Sequence, residues 1–144
     1  MNNVTIEFGF DNMDFDKVTY LISKSHWSPG ISIEDVKHRA KNSAMVVGAF
    51  IENVQVGYAR VISDKGQFAY ILDVMVDESY RKKGIGAKLV NALLSHNEFK
   101  DVYQWLIKAE ADVQKFYNKL GFKPLAKPIE WMEIRLKNKL KSSE

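Results

Sequence analysis

The hydrophobic and polar positions of this chain follow the two-residue period of strands in some stretches and the spacing of helices in others. Apolar stretches of strand length, bounded by turn residues, predict seven strands. They lie at residues 4–10, Met45–Ile51, 54–62, Phe68–Val76, 102–108, 122–125 and 129–136. Apolar residues at helical spacing predict four helices. The helices run from Asp14 to about Ser25, from Ser32 to about Asn42, from Gly84 to about His96, and up to Leu120.

The order of these elements, β-α-α-β-β-β-α-β-α-β-β, indicates the architecture. Three hairpin-linked strands followed by two β-α units imply a mixed sheet that is antiparallel first and partly parallel later. We interpret residues 1–144 as a single α/β domain, because a chain of this length can bury about two-thirds of its unfolded surface.

Composition then excludes several classes of function. The chain has no cysteine, so a thiol nucleophile, a disulfide and a thiolate metal site are all excluded. Its three histidines lack metal-ligand spacing, and we predict no metal. No apolar run is long enough to cross a membrane, and a net charge of +3 is low for a nucleic-acid-binding protein. A cytoplasmic location is the default expectation.

The stretch from Asp73 to Val90 carries the most informative pattern. An apolar strand is followed by a basic, glycine-rich corner and then by a helix with an apolar face. Such a corner presents backbone N–H groups and the positive end of a helix dipole, which together favour phosphate. The dinucleotide and nucleoside-triphosphate loop patterns do not fit, because Leu89 stands where the first needs its third glycine and the second needs a hydroxyl after its lysine.

The sequence that does fit, Arg81-Lys82-Lys83-Gly84-Ile85-Gly86, resembles the pyrophosphate-binding motif of the GNAT acyltransferase superfamily. About 30 residues later, Phe116-Tyr117 followed by Gly121-Phe122 resembles the helix-to-strand junction of the same superfamily. The resemblance covers roughly residues 45–134. It implies a mixed sheet of six to seven strands flanked by about four helices. Two neighbouring parallel strands, here Phe68–Val76 and 102–108, are expected to splay apart around the cofactor.

The resemblance implies an N-acetyltransferase that uses acetyl-coenzyme A and transfers the acetyl group directly to an amine of a small molecule or a peptide. The cofactor-binding residues that it implies are the backbones of Met75 and Val76 together with Arg81, Lys82, Lys83, Gly84, Ile85, Gly86 and Ala87. An alternative is a non-catalytic module of the same fold that senses acyl-coenzyme A. Small bacterial members are often dimeric, so a homodimer is also an expectation.

Two residues are candidates for proton transfer. The resemblance gives Tyr117 the role of the acid that protonates the departing thiolate, whereas a core aromatic is the structural alternative. Asp73 is a carboxylate within an apolar strand, where an unpaired charge would be costly. It could accept a proton, relay one through water, bind a cationic amine, or make a structural hydrogen bond. Many relatives have a glutamate in place of Tyr70, and its absence favours a water relay.

The acceptor pocket is expected to form from the first helical hairpin and the loop after the third strand. Its candidate residues are Tyr20, His26, Trp27, Arg60, Asp64 and Tyr70. The pattern does not identify the acceptor.

Overall fold

The computed structural model describes residues 3–136, which contain five strands and four α-helices. The chain divides into two compact units, Met1–Lys108 and Ala109–Glu144. The elements of the first unit are β1 (Thr5–Phe8), α1 (Phe15–Ser23), α2 (Ile33–Lys41), β2 (Met45–Ile51), β3 (Val54–Ser63), β4 (Phe68–Val76), α3 (Ile85–Leu94) and β5 (Gln104–Ile107). The second unit contains α4 (Gln114–Lys119).

The strands form one sheet in sequence order, from β1 to β5. The pairs from β1 to β4 are antiparallel, and β4 pairs with β5 in parallel. The mixed sheet, its antiparallel first part and the four helices are therefore confirmed. The predicted number of six to seven strands is wrong, because the sheet of the described residues has five.

The strands predicted at residues 122–125 and 129–136 are the ones that the structure does not form. Residues 122–127 have no regular structure, Pro128–Glu130 is a 3₁₀ turn, and the chain from Trp131 to residue 136 has no strand pairing. Pro124 and Pro128 lack the N–H that a sheet ladder needs. Neither face of segment 129–136 is buried either, since the side chains of Ile129, Met132 and Ile134 are more than 90% exposed.

The two faces of the sheet are covered by different helices. Helices α1 and α2 pack their apolar residues against one face, in a cluster that includes Tyr58 and Met75. Their first turns are capped as the sequence predicts, because the side chains of Asp14 and Ser32 each accept a backbone N–H three residues ahead. Helix α3 covers the other face, so close to Gly57 that a β-carbon there would lie 3.0 Å from Leu89.

Candidate functional site

The basic corner follows the end of β4. A 3₁₀ turn at Glu78–Tyr80 leads into it, and the Asp77 carboxylate caps that turn by accepting the N–H of Ser79 at 2.9 Å. The backbone then turns through Lys82 and Gly84, whose φ angles of 64° and 79° are left-handed. Gly84 is the N-cap of α3 and supplies no side-chain hydrogen bond to it. The first turn of α3 therefore lacks the capping group that most helices have.

The amides at this helix start have no backbone acceptor. The first N–H that the helix uses is that of Lys88, which donates to the Gly84 carbonyl at 3.1 Å. The N–H groups of residues 84–87 donate to no backbone carbonyl within the part of the chain that the structure describes. A β-carbon added at Gly84 would meet no atom within 4 Å, so the space in front of it is open. This arrangement suits an anion.

Three cationic side chains surround these amides. Arg81, Lys82 and Lys83 are all exposed, so a ligand can reach their charged groups. The Arg81 guanidinium also reaches back to β4, where its Nε donates to the Val76 carbonyl at 3.2 Å. The Lys83 ammonium lies 5.6 Å from the centre of the Tyr80 ring. The corner thus combines backbone donors with positive charge, which is the chemistry of a phosphate site.

Strand β4 loses its parallel neighbour before it reaches the corner. Pairing with β5 runs from Phe68 opposite Gln104 to Ile71 opposite Ile107, and β4 continues for five more residues. These five residues retain β3 on one side only. The ladder stops where β5 itself ends, at Ile107, and the predicted splaying of the two parallel strands stays a prediction. An extended ligand could pair with the open side of β4 as an added strand does.

The register of β3 with β4 decides which β4 amides are open. The Asp77 N–H donates to the Val56 carbonyl at 2.7 Å, so Asp77 faces β3. In an antiparallel ladder alternate residues turn their polar groups to opposite sides. Met75 therefore also faces β3, while the N–H of Val76 points to the side that β5 does not cover. Of the two β4 backbones expected to bind the cofactor, Met75 and Val76, Val76 is thus the one whose amide faces the open side of the strand.

A buried ionic cluster lies on the α1 and α2 face of the sheet. The Nε of Arg60 donates to Oδ2 of Asp73 at 2.6 Å, and each side chain is only 10% exposed. A second guanidinium nitrogen of Arg60 is 3.4 Å from Oγ of Ser43, just after α2. From the sequence, Arg60 is a candidate for the acceptor pocket, and Asp73 is a candidate for proton transfer, amine binding or a structural hydrogen bond. The structure brings the two together as an ion pair.

Tyr58 belongs to this cluster and was missed by the sequence reasoning. Its side chain is fully buried on β3, and its hydroxyl is one of the buried side-chain atoms without a hydrogen-bond partner among the described residues. Burial is the main cause that raises the pKa of the Tyr58 phenol, and the nearby Asp73 charge raises that pKa further. The available signal was the spacing of Tyr58 and Arg60, two residues apart on one face of a strand.

The other acceptor candidates lie in several places. Tyr20 is half-exposed on α1, between the ammonium groups of Lys17 and Lys24. His26 and Trp27 follow α1, and their rings meet edge to face at 5.1 Å. Tyr70 is part-buried on β4 opposite Ile62.

Asp64 is placed far from the corner. Its carboxylate accepts the backbone N–H groups of Gly66, Gln67 and Phe68, and these bonds lower its pKa. It stabilises the turn before β4, whereas the corner follows the end of that strand. The length of β4, from Phe68 to Val76, separates this turn from the corner by about 26 Å.

The second unit contains the expected helix and its glycine cap. Gly121 has a φ of 104°, and the N–H of Phe122 donates to the Tyr117 carbonyl at 3.1 Å, as in a Schellman cap. The Tyr117 ring packs edge to face on those of Phe116 and Phe122. Burial raises the pKa of the Tyr117 phenol, which keeps it protonated at neutral pH.

Residues 3–136 contain neither a cluster of metal-ligating side chains nor a helix that could span a membrane. No three histidine, aspartate or glutamate side chains lie close enough to hold a metal ion together. None of the helices within this range has the length and apolar character needed to span a membrane.

Comparison with known proteins identifies the family. Residues 13–138 match the family described as "Acetyltransferase (GNAT) domain", and the chain belongs to this family. A GNAT-family protein of Xanthomonas campestris pv. campestris has a similar structure, with a TM-score of 0.86 over 94% of this chain and 95% of the other, at 28% identity.

Two curated proteins show the same relationship at the sequence level. The uncharacterized N-acetyltransferase ycf52 of Pyropia yezoensis is 31% identical over 62% of this chain and 54% of its own length. The histone acetyltransferase TAP1 of Glycine max is 34% identical over 54% of this chain and 33% of its own length. The matched part thus spans between a third and just over half of these relatives.

Proposed function

We propose that the protein is an N-acetyltransferase that moves an acetyl group from acetyl-coenzyme A to a primary amine of a small molecule or a peptide. The observation that supports this most is the set of unpartnered amides at residues 84–87, which follows a strand that has lost its parallel neighbour. An anion-binding corner beside an open strand suits a ligand with a pyrophosphate and an amide-containing arm.

The residues of the corner would hold the cosubstrate. Gly84, Ile85, Gly86 and Ala87 would donate their amides to the pyrophosphate, and Arg81, Lys82 and Lys83 would neutralise its charge. The open side of β4 at Val76 would pair with the pantetheine arm, while Met75 contributes the neighbouring backbone. Bound acetyl-coenzyme A supplies an activated thioester.

The chain then needs three groups for the transfer. The amine nitrogen forms a bond to the acetyl carbon while the carbon–sulfur bond breaks, and the Val76 N–H stabilises the carbonyl oxygen in the transition state. The amine loses a proton, directly or through water, toward the carboxylate of Asp73. The Tyr117 hydroxyl donates a proton to the departing thiolate. No acyl-enzyme on cysteine can form, because the chain has no cysteine.

The ion pair with Arg60 determines which carboxylate oxygen of Asp73 a ligand can reach. Arg60 holds Oδ2, and Oδ1 has no protein partner among the described residues. An ammonium group or a relay water could therefore approach Oδ1. Of the four roles that the sequence left open for Asp73, the bond from Arg60 on the neighbouring strand matches the structural hydrogen bond, and the unoccupied Oδ1 would still suit binding of a cationic amine and acceptance of its proton, directly or through water.

The acceptor would enter on the face that carries α1 and α2. Tyr20, His26, Trp27 and Tyr70 are the candidates for its walls, with Arg60 beneath them, whereas Asp64 belongs to the distant turn. The acceptor class remains a primary amine. The cytoplasmic location, the homodimer and the single domain also remain predictions.

The test is release of coenzyme A thiol from acetyl-coenzyme A across a panel of small amines and lysine-containing peptides. A thiol reagent reports product without background, because the protein has no cysteine. We expect at least one amine to raise thiol release above hydrolysis, with mass spectrometry showing the acetylated amine. Tight binding with no transfer to any amine would instead support the acyl-coenzyme A sensor.

A further inference from the structure

Asp73 has an unusual backbone for a residue within a strand. Its φ is 54°, in the left-handed region that costs an ordinary residue about 1 kcal/mol or more. The other described non-glycine residues with positive φ are Glu52, Asn53, Lys65 and Lys82, which all lie in turns between elements. A strained residue inside a strand persists only when its surroundings fix it.

The strain coincides with a change of register. Arg60 lies opposite Leu72, but Tyr58 lies opposite Met75, so Asp73 and Val74 together face the single residue Ala59. This is a β-bulge with the extra residue on β4. It begins two residues after Ile71, the last residue of β4 that pairs with β5.

The bulge determines which amide of β4 is open. Val56 now lies opposite Asp77 and accepts its N–H. Without the extra residue, the register of Arg60 with Leu72 would continue and bring Val76 opposite Val56. The Val76 N–H would then bond to β3 and would no longer face the open side. The bulge therefore creates the free amide.

The side chain of Arg60 contacts the strained residue. Its Nε contacts the Asp73 carboxylate at 2.6 Å, and its other end reaches Ser43. Ser43 in turn donates to the Arg39 carbonyl at 2.8 Å. The bulge is thus tied through Arg60 to the end of α2, and the low exposure of the pair strengthens the attraction between its charges.

We propose that Arg60 is a positioning residue whose ion pair with Asp73 holds the left-handed bulge of β4 and so keeps the Val76 N–H directed to the open side. The consequence for acetyl-coenzyme A rests on the proposed function. The consequence for the backbone does not rest on it: the Val76 N–H should have no bond to β3, and the Asp77 N–H should be bonded to β3.

Two double variants test this directly. Arg60→Met with Asp73→Gly and Arg60→Met with Asp73→Ala both remove the ion pair without leaving a buried charge. They differ only in the β-carbon at the left-handed position, which glycine tolerates and alanine does not. The amide hydrogen exchange of Val76 and Asp77, measured by NMR, reports which residue bonds to β3. Isothermal calorimetry measures the affinity of each variant for acetyl-coenzyme A.

In the glycine variant we expect the Val76 amide hydrogen to exchange fast and the Asp77 amide hydrogen to exchange slowly, as in the wild type. Its dissociation constant for acetyl-coenzyme A should stay within about threefold of the wild-type value. In the alanine variant the protection should move from Asp77 to Val76, and affinity should fall at least tenfold. If both variants keep the wild-type exchange pattern, other contacts hold the bulge and the proposal is wrong. If both variants lose the wild-type exchange pattern equally while remaining folded, the ion pair is needed even where glycine removes the strain, and the proposal stands.

The exchange pattern separates this proposal from the proposed function. If the wild type does not bind acetyl-coenzyme A, the proposed function fails, yet the Val76 and Asp77 amides still decide whether Arg60 holds the bulge. If the exchange pattern moves as expected while affinity stays constant in the alanine variant, Arg60 holds the bulge but does not position the cosubstrate, and the proposal is overturned in that part.

Discussion

The basic corner and the buried ionic cluster are built by opposite means. The corner consists of backbone amides at residues 84–87 with exposed cations around them. The cluster consists of the side chains of Arg60, Asp73 and Tyr58, all nearly inaccessible to solvent. A backbone site should tolerate changes of side chain as long as the chain can turn and the ligand can approach. A side-chain cluster should depend on each atom.

The largest effect should come from blocking the backbone site with bulk. Gly86→Val should lower affinity for acetyl-coenzyme A on the order of 100-fold or more, because a branched side chain at the helix start occupies the space for pyrophosphate; this is about 2.7 kcal/mol of binding free energy. Isothermal calorimetry measures the change. The matched control is Gly66→Val in the turn between β3 and β4, which should bind normally. Equal affinity in both variants would remove the corner from the site.

Tyr117 should show the next largest effect. Tyr117→Phe should reduce turnover about 100-fold, within the range for loss of a general acid, and leave the dissociation constant of acetyl-coenzyme A unchanged. Steady-state thiol release together with calorimetry separates the two quantities. Tyr103→Phe, at an exposed tyrosine before β5, is the control. A fall in affinity with constant turnover per bound cosubstrate would make Tyr117 structural.

Tyr58 should control stability in alkali. Because its pKa is raised in the folded state, its neutral form stabilises the fold fully below about pH 10, and this stability is lost as pH rises from there toward the folded pKa. The loss should be about 1.4 kcal/mol per pH unit. Urea unfolding of the wild type and Tyr58→Phe at pH 8 to 11 measures it. The variant should lose less stability in this range, and parallel curves would refute the assignment.

The smallest effect should come from the link between α1 and the corner. The Lys17 ammonium contacts the Asp77 carboxylate at 2.7 Å, and this hydrogen bond is the main cause that lowers the Asp77 pKa. Lys17→Met should cost about 1 kcal/mol at pH 7. The cost should disappear as pH falls through the folded pKa of Asp77, where the carboxylate gains a proton. Lys24→Met, at the C-cap of the same helix, should show no such pH dependence in urea unfolding.

The sequence predicted the corner well because its determinants are local. Glycines at positions 84 and 86, cations just before them and an apolar strand upstream specify a turn and a helix start that need no distant partner. In the structure Gly84 is left-handed, and the amides of residues 84–87 donate to no backbone carbonyl of residues 3–136. The bounds of β2 and β4 were also predicted, because apolar runs between turn residues define them.

The ionic cluster could not be predicted because it depends on register. Arg60 and Asp73 lie 13 residues apart on neighbouring strands, and one extra residue in β4 decides which side chains meet. Alternation does not reveal a bulge. The last two predicted strands failed for a related reason, since a period of two shows that a segment could pair but not that a partner or a buried face exists for it.

A thermal-shift titration of the wild type tests the central claim most directly. Acetyl-coenzyme A, free coenzyme A, NAD and ATP would be compared at equal concentrations. A ligand at 100 times its dissociation constant adds about 2.7 kcal/mol to the free energy of unfolding. We predict that both forms of coenzyme A stabilise the protein and that NAD and ATP do not. No stabilisation by either form of coenzyme A would contradict the account.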